Sequence, residues 1–366
     1  MVPPRRWPIE SQSDGVIERS QALACSSIIE GTTMEQYAGI DVSLESASVC
    51  EAKVVCEPEA LIAWFTKLGV SMARIGLEAG PLSQWLYARM REAGLLVELL
   101  ETRHVRDAFK AMPVKTDRTD ARGIAQLMRL GWFRPVHCKS LPAQELRAIL
   151  TARKLVQNKR HDLEMSLRGI LRGFGLKVGQ TTPRNFEARV RELADGQPTL
   201  LVVADAMLLA RAVLVEQLGK LQKRLVSLAR QDTRARLLMS TPGVGVLVAL
   251  TYVAAIDDPA RFRSSKAVGA HFGLTPKKYQ SGETDVTGRI SKVGDASVRT
   301  ALYEAANVIL TRPVRGSLLK SWAMRVAKRT GMRKAKVALA RKLAVILHRM
   351  LANGSAFVAG KAAAKA

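Results

Sequence analysis

Over residues 37–130 short apolar runs alternate with amphipathic stretches. Residues 37–56 (YAGIDVSLESASVCEAKVVC) are rich in strand formers around a polar break, which predicts two adjacent strands. The spacing of apolar positions predicts a helix over 59–68, a strand over 73–78 and an amphipathic helix over 82–93 that ends at Gly94. A strand over 95–100 and a helical stretch over 103–112 follow. Pro113 breaks the chain, and either Thr116 or Asp117 can cap a helix running to about Leu130. Strands alternating with helices over this length predict an α/β layer domain.

Beyond Pro142 the period changes. Residues 143–173 and 200–230 keep a helical period dense in Arg, Lys, Glu and Gln, and predict two long antiparallel helices in a coiled-coil-like arm. The stretch between them includes the Gly- and Pro-containing residues 179–183. STPGVGVLVAL, from Ser240, predicts a turn entering an apolar helix, and residues 273–295 read as a polar, Gly-rich segment. Two closing helices are expected, one over 296–310 and a very basic one around 333–351. The domain reading is a leader without structure over 1–33, an α/β domain over 34–140 and a helical linker over 141–230. A mainly helical basic domain over 231–355 and a frayed tail over 356–366 complete it. The leader could equally be an extension upstream of a start at Met34, since it lacks the apolar core of a signal peptide.

Composition adds a partner. The chain of 366 residues has a net charge of +25 and a hydrophobic fraction of 48%, which excludes disorder throughout. Its longest apolar runs, such as residues 247–256, fall short of the ~18 residues that span a membrane, so no membrane partner is expected. Four cysteines (Cys25, Cys50, Cys56, Cys138) form no CxxC pair, which argues against a zinc module or disulfide framework and fits the reducing cytoplasm. Residues 35–100 carry nine acidic against five basic side chains, whereas residues 261–366 carry 22 basic and four acidic. Concentrating charge in this way points to an acidic module joined to one that grips a polyanion, with nucleic acid the first candidate.

The acidic module carries candidate chemistry. Asp41 ends the apolar strand AGID and Glu78 ends IGLE; Asp117 and Asp120, in KTDRTDAR, share one helical face at i, i+3. Hard carboxylate oxygens suit Mg²⁺ or Mn²⁺, and several converging acids repel one another without a cation. Such a set can serve two-metal phosphoryl transfer. Each acid also has a plainer reading: a turn cap for Asp41, Glu101 as a rival to Glu78, and helix-dipole complementation for Asp117 and Asp120.

These residues resemble a known family. YAGIDVS, GLEAG and KTDRTDARGIAQLMRLG, followed by STPGVGVLVALTYVAAIDDPARF and AHFGLTPKKYQSGETDVTGRISKVGDASVR, look like the insertion sequence 110 transposases of the DEDD, Piv-like type. The likeness spans about residues 34–350, in two motif blocks in the family's order. It implies a RuvC-like, ribonuclease-H-type domain in which Asp41, Glu78, Asp117 and Asp120 bind Mg²⁺. It implies a serine nucleophile at Ser281, a structured noncoding bridge RNA that pairs with donor and target DNA, and tetramers on two duplexes. It also implies a bacterial cytoplasmic protein that joins the nucleoid when bound to DNA. In one departure, Cys50-Glu51-Ala52 joins the first two strands with hardly any turn, where the family has a longer hairpin.

A serine hydroxyl needs a base or a metal to become a nucleophile. No histidine neighbours Ser281, with His271 ten residues upstream, so activation by the carboxylate-bound metal would take that role; Ser291 is the rival. Lys277, Lys278, Arg289, Lys292 and Arg299 surround Ser281 as candidate phosphate ligands. Gly243 and Gly245 open the apolar helix in the manner of a helix-hairpin-helix grip on phosphate, or of a plain tight turn. Residues 325–349, with Arg333 and Lys334, are basic around much of a helix, as a phosphate groove requires. Trp132, Phe133 and Trp322 are expected as core anchors ahead of base-stacking platforms. Two rival functions share these residues: a junction-resolving endonuclease of RuvC type in which water attacks, and a nucleic-acid-binding protein whose acids are structural.

Overall fold

The computed structural model describes residues 35–49, 52–112, 114–313 and 318–358, which divide into two compact units at Lys139/Ser140. The expected leader, the Cys50-Glu51 link, Pro113 and the end of the tail lie outside the described residues.

The first unit is a layered α/β fold. Strands β1 (Gln36–Val42), β2 (Ser46–Val49) and β3 (Ala52–Val55) form an antiparallel meander, and β4 (Met72–Glu78) and β5 (Val97–Leu100) extend it in parallel. Among the described residues the sheet order is β3-β2-β1-β4-β5. Residues 37–56 therefore hold three strands where two were expected. The polar break became a turn, closed by the Ser43 backbone N–H and hydroxyl donating to the Ser46 carbonyl at 2.9 and 2.7 Å. The short Cys50-Glu51 link thus follows the second strand, not the first, and Val49 pairs with Ala52 across it.

Helices α1 (Pro58–Lys67) and α2 (Ser83–Glu92) supply Leu61, Phe65, Leu86 and Met90 to a core with Ala38, Ile40, Ile75 and Leu77. Helix α3 (Thr102–Ala108), with a following 3-10 turn, and helix α4 (Asp117–Leu130) build a second core from Val105, Ile124 and Met128. Thr116 is the cap of α4: its hydroxyl accepts from the Thr119 N–H while Thr119 reaches back to the Thr116 N–H, and Gly131 closes the helix in the left-handed region.

The second unit begins with two long helices. Helix α5 (Leu141–Gly173) and helix α7 (Pro198–Gln231) run antiparallel: Arg153 Nε donates to Gln222 Oε1 at 2.7 Å and Arg211 Nε to Glu164 Oε1 at 2.8 Å, so rising numbers meet falling ones. Between them lies helix α6 (Phe186–Ala194), absent from the sequence reading, and its Phe186 and Val190 pack with Leu167, Leu171 and Leu208.

Helix α7 is, by length and composition, apolar enough to cross a membrane, although Asp205 and Arg211 keep its unbroken apolar runs short. Arg211 is buried between Glu164 and the Pro183 carbonyl, while Val202 and Leu209 stay exposed.

Helices α8 (Thr233–Met239), α9 (Val246–Ile256), α10 (Ala267–His271), α11 (Ala296–Thr311), α12 (Leu318–Thr330) and α13 (Met332–Asn353) surround one core centred on Leu250, Tyr252, Phe272, Leu302 and Leu343. Three helices, not two, close the chain among the described residues, because Gly331 takes φ 85° between α12 and α13. The single basic helix expected around 333–351 is preceded by α12, and one of its faces is apolar rather than basic. Leu339, Leu343, Ala344 and Leu347 make α13 a core helix, and its Lys342 is buried with Nζ 4.5 Å from the centre of the Trp322 ring. Trp322 and Phe133 pack against cores as expected, but Trp132 is largely exposed, its edge on His104. The polar segment over 273–295 holds a two-stranded ribbon, β6 (Pro276–Ser281) and β7 (Thr284–Ile290).

Candidate active site

Two glycines bring the acids of the first unit together. In β1, Ile40 faces the α1/α2 core, so Gly39 and Asp41 face the other way, towards α4. A Cβ on Gly39 would stand 2.0 Å from the Ala121 carbonyl oxygen of α4, and one on Gly76 would stand 2.5 Å from Ile124 Cγ2. Only their absence allows α4 to lie on the sheet. Because Ile40 pairs with Leu77, the next residue of each parallel strand is Asp41 and Glu78. The first turn of α4 adds Asp117 and Asp120 to the same face.

The electrostatics report this convergence. Burial raises the Asp41 carboxyl above its usual range, and the charges of Asp120 and Asp117 raise it further; the Val42 N–H and Lys115 oppose them. Glu78 is likewise raised, by burial first and then by Asp41 and Asp120, against Lys115 and the Thr102 hydroxyl. Glu101, its rival, begins α3 instead, 3.9 Å from Arg134.

Two contributors escaped the sequence reading. Lys115, beside the cap of α4, is a cation felt by both strand-end acids. Thr102 donates to the Ala79 carbonyl at 2.8 Å as well as acting on Glu78. Lys115 was legible as the first letter of KTDRTD; Thr102 had no signal, since it reaches Glu78 through sheet order alone. Among the described residues no three His, Cys, Asp or Glu side chains stand close enough to hold a metal ion as placed.

In the second unit Ser281 is exposed at the tip of the ribbon, opposite Thr284 across the Gly282-Glu283 turn. Ser291 lies at the ribbon's base, where its hydroxyl accepts from the Val293 N–H at 3.5 Å. Lys277, Lys278 and Arg289 are on the ribbon, with Lys278 3.2 Å from Asp285, and Lys292 follows it with φ 55°. Arg299 is turned inward: its Nη1 donates to the carbonyls of Phe272, Val293 and Gly294 at 2.9–3.2 Å, which closes the loop that carries the ribbon.

Gly243 and Gly245 do different work. Gly243 has φ 79°, and a Cβ there would meet the Ala305 carbonyl at 2.7 Å, so packing against α11 requires it. Gly245 caps α9 with open space around it and no side-chain hydrogen bond at the helix start. Arg333 and Lys334 are exposed in the first turn of α13.

Comparison with known proteins gives this arrangement a class. A family model for DEDD transposases of the IS110 type, described as a transposase, matches residues 38–175. The model described as the transposase IS116/IS110/IS902 family matches residues 235–318. The chain is 27% identical to the transposase for insertion sequence element IS1111A of Coxiella burnetii, over 95% of this chain and 98% of that one. It is 26% identical to a probable family 20 transposase of Pseudomonas aeruginosa, over 78% and 86%, and 24% identical to the transposase for IS1328 of Yersinia enterocolitica, over 77% and 85%.

The molecule is thus a DNA-processing enzyme that transfers phosphoryl groups. The two family models fall in the order of the two motif blocks and together cover well over half of the chain. The chain belongs to the IS110 family of transposases.

Proposed function

We propose that this transposase cuts and rejoins the DNA of its insertion sequence through Asp41, Glu78, Asp117 and Asp120, with Ser281 as nucleophile. The first unit is read as RuvC-like: an antiparallel meander extended by parallel strands, with α4 carrying acids over the sheet. The observation that carries the reading is the β1–β4 register, which sets Asp41 beside Glu78 on the face that α4 covers.

By its chemistry the donor set suits a divalent cation, Mg²⁺ or Mn²⁺, although no three of its members stand close enough to share one as placed. It is four hard carboxylates, two of them with proton affinity raised partly by their neighbours' charge. Bound there, the cation would screen that repulsion and polarise a phosphoryl oxygen. The Ser281 oxygen forms a bond to phosphorus and gives its proton to water, while the bond from phosphorus to the sugar oxygen of the cut strand breaks and that oxygen takes a proton from water. The phosphoserine diester retains the energy of the broken bond for rejoining. Lys277, Arg289 and Lys292 near the ribbon, with Arg333, Lys334 and the backbone after Gly245 elsewhere on the unit, are proposed as phosphate ligands, a reading that their exposure supports. Guidance by a structured bridge RNA and assembly as a tetramer on donor and target DNA rest on the family likeness and on a net charge of +25.

Incubation with DNA of the element's ends, followed by denaturing electrophoresis, should trap a covalent protein–DNA adduct. Ser281→Ala is expected to abolish the adduct, and Asp41→Asn or Asp120→Asn to abolish both adduct and nicking while DNA stays bound. Nicking that survives Ser281→Ala would mean that water attacks, as in a junction-resolving endonuclease. DNA chemistry untouched by the acid substitutions would reduce the acids to structure.

A further inference from the structure

We propose that Tyr279 is a positioning residue for strand cleavage, its ring lying against the deoxynucleotide that flanks the phosphate attacked by Ser281. This rests on the serine reading above and deepens it. The ribbon is not folded onto the core: every residue of β6, and every residue of β7 except Ile290, is exposed. A two-stranded hairpin is marginal by itself in water. Its faces are therefore available to a partner.

The register sorts those faces. Ser281 pairs with Thr284 and Tyr279 with Val286, and a spacing of two keeps these four side chains on one face. Lys278, Gln280, Asp285 and Thr287 take the other, where Lys278 and Asp285 form their ion pair. The charge pair thus sits away from the serine. The serine's own face carries a tyrosine that is 66% exposed and a valine that is 55% exposed. Lys277 lies just beyond these pairs, at the bulge where the strand register shifts.

Gly288 adds a gap. A Cβ there would meet nothing nearer than the Lys277 carbonyl oxygen at 3.7 Å, so no contact within the chain demands glycine. Gly288 lies at the bulge of the ribbon, and a bare strand position there also leaves room for the close approach of a ligand.

A hydroxyl and an aromatic ring on one face, with a cation and a bare position at the bulge beside them, match a nucleotide. The occupant is a DNA strand because this chain is a transposase and its last 106 residues carry 22 basic against four acidic side chains. Residues two apart along a strand are ~7 Å from each other, close to two base steps of ~3.4 Å. With Ser281 at the attacked phosphorus, a ring ~7 Å along the ribbon falls on the bases within two steps of it and not on the phosphorus itself.

The test uses the full-length chain, purified with whatever RNA it retains, and DNA spanning the element's end with 2-aminopurine beside the mapped cleavage point. Quenching of the aminopurine is expected with Ser281→Ala alone and with Ser281→Ala/Tyr279→Phe, and is expected to be lost with Ser281→Ala/Tyr279→Ile. Isoleucine preserves strand propensity, so the ribbon itself survives the change. With Ser281 present, Tyr279→Ile should slow cleavage on the order of 10- to 100-fold, the range that loss of one base–aromatic stack supports, and Tyr279→Phe should restore it. Equal quenching by the isoleucine form, loss of quenching by the phenylalanine form, or unimpaired cleavage by Tyr279→Ile would each overturn the proposal. Quenching is read with the hydroxyl already removed, so it stands or falls independently of the nucleophile. An adduct that persists in Ser281→Ala would sink the serine reading and leave the tyrosine contact to be judged by the quenching.

Discussion

Asp41 shows what a single residue contributes. Its folded carboxyl binds a proton more tightly than the unfolded one, because burial and then Asp120 and Asp117 disfavour its charge. Ionised Asp41 therefore costs stability at neutral pH, and that cost is relieved as pH falls through the raised value. Asp41→Asn removes it outright. In metal-free buffer the melting temperature of the first unit should rise by roughly 4 °C, the shift that about 1 kcal/mol produces in a domain of about 100 residues. Added Mg²⁺ should stabilise the wild-type chain and do little for the variant, read by calorimetry. A fall in melting temperature on Asp41→Asn would refute the idea that repulsion is the dominant local term. In the sequence Asp41 was visible as a charge ending an apolar strand; its partners were not, since nothing local says that β1 lies beside β4.

At the scale of elements, the contact of α4 with the sheet is decided by small residues. Gly39→Ala would force a methyl carbon into the Ala121 carbonyl, which no rotamer can relieve. The expected loss is at least the ~1–3 kcal/mol of an overpacked core. Cleavage should fall with it, because Asp117 and Asp120 ride on the displaced helix; chemical denaturation and a nicking assay would read the two effects separately. Gly169→Ala, with open space around its Cβ, is the matched control.

The join of α5 to the core of the second unit is a different case. Burial alone would raise the Asp295 carboxyl, but the hydrogen bond and charge of Arg147, with the Ser297 and Val298 N–H groups at the start of α11, hold it below the usual range. A depressed carboxylate stabilises above its unfolded pKa and loses that contribution as pH falls through the folded value. His348, lowered by burial, acts in the same direction from the usual histidine range downward. The second unit should therefore lose stability on acidification, and Asp295→Asn should flatten the carboxylate part of that pH dependence. A profile unchanged by the substitution would show that the Arg147 contact contributes nothing net.

Over the whole molecule charge governs affinity. If six or more phosphates are neutralised, log K for DNA should fall with log salt at a slope of about −5 or steeper. Removing Arg333 and Lys334 together should reduce that slope by about 2; an unchanged slope would take the start of α13 out of the interface. The same charge misled at the element scale. Arg333, Lys334, Arg341 and Arg349 made α13 look like a surface helix, yet Leu339, Leu343 and Leu347 share its buried face. A helix shows all its residues in sequence, but packing reveals only which face has a neighbour.

The amino-acid sequence by itself determined the alternation of β and α in the first unit, the span of α4, the two long helices further on and the separation of charge. These depend on contacts within a few residues or on composition. It could not determine the third strand, the helix α6, the split at Gly331 or the exposed ribbon. A ribbon without a core shows no apolar alternation, and short elements lack the length to establish a period. Tertiary structure decided which acids meet, through parallel register and two missing side chains, and which face of the ribbon Ser281 shares with Tyr279. Convergence of residues far apart in the chain is a property of packing, and packing is written in no single stretch of sequence.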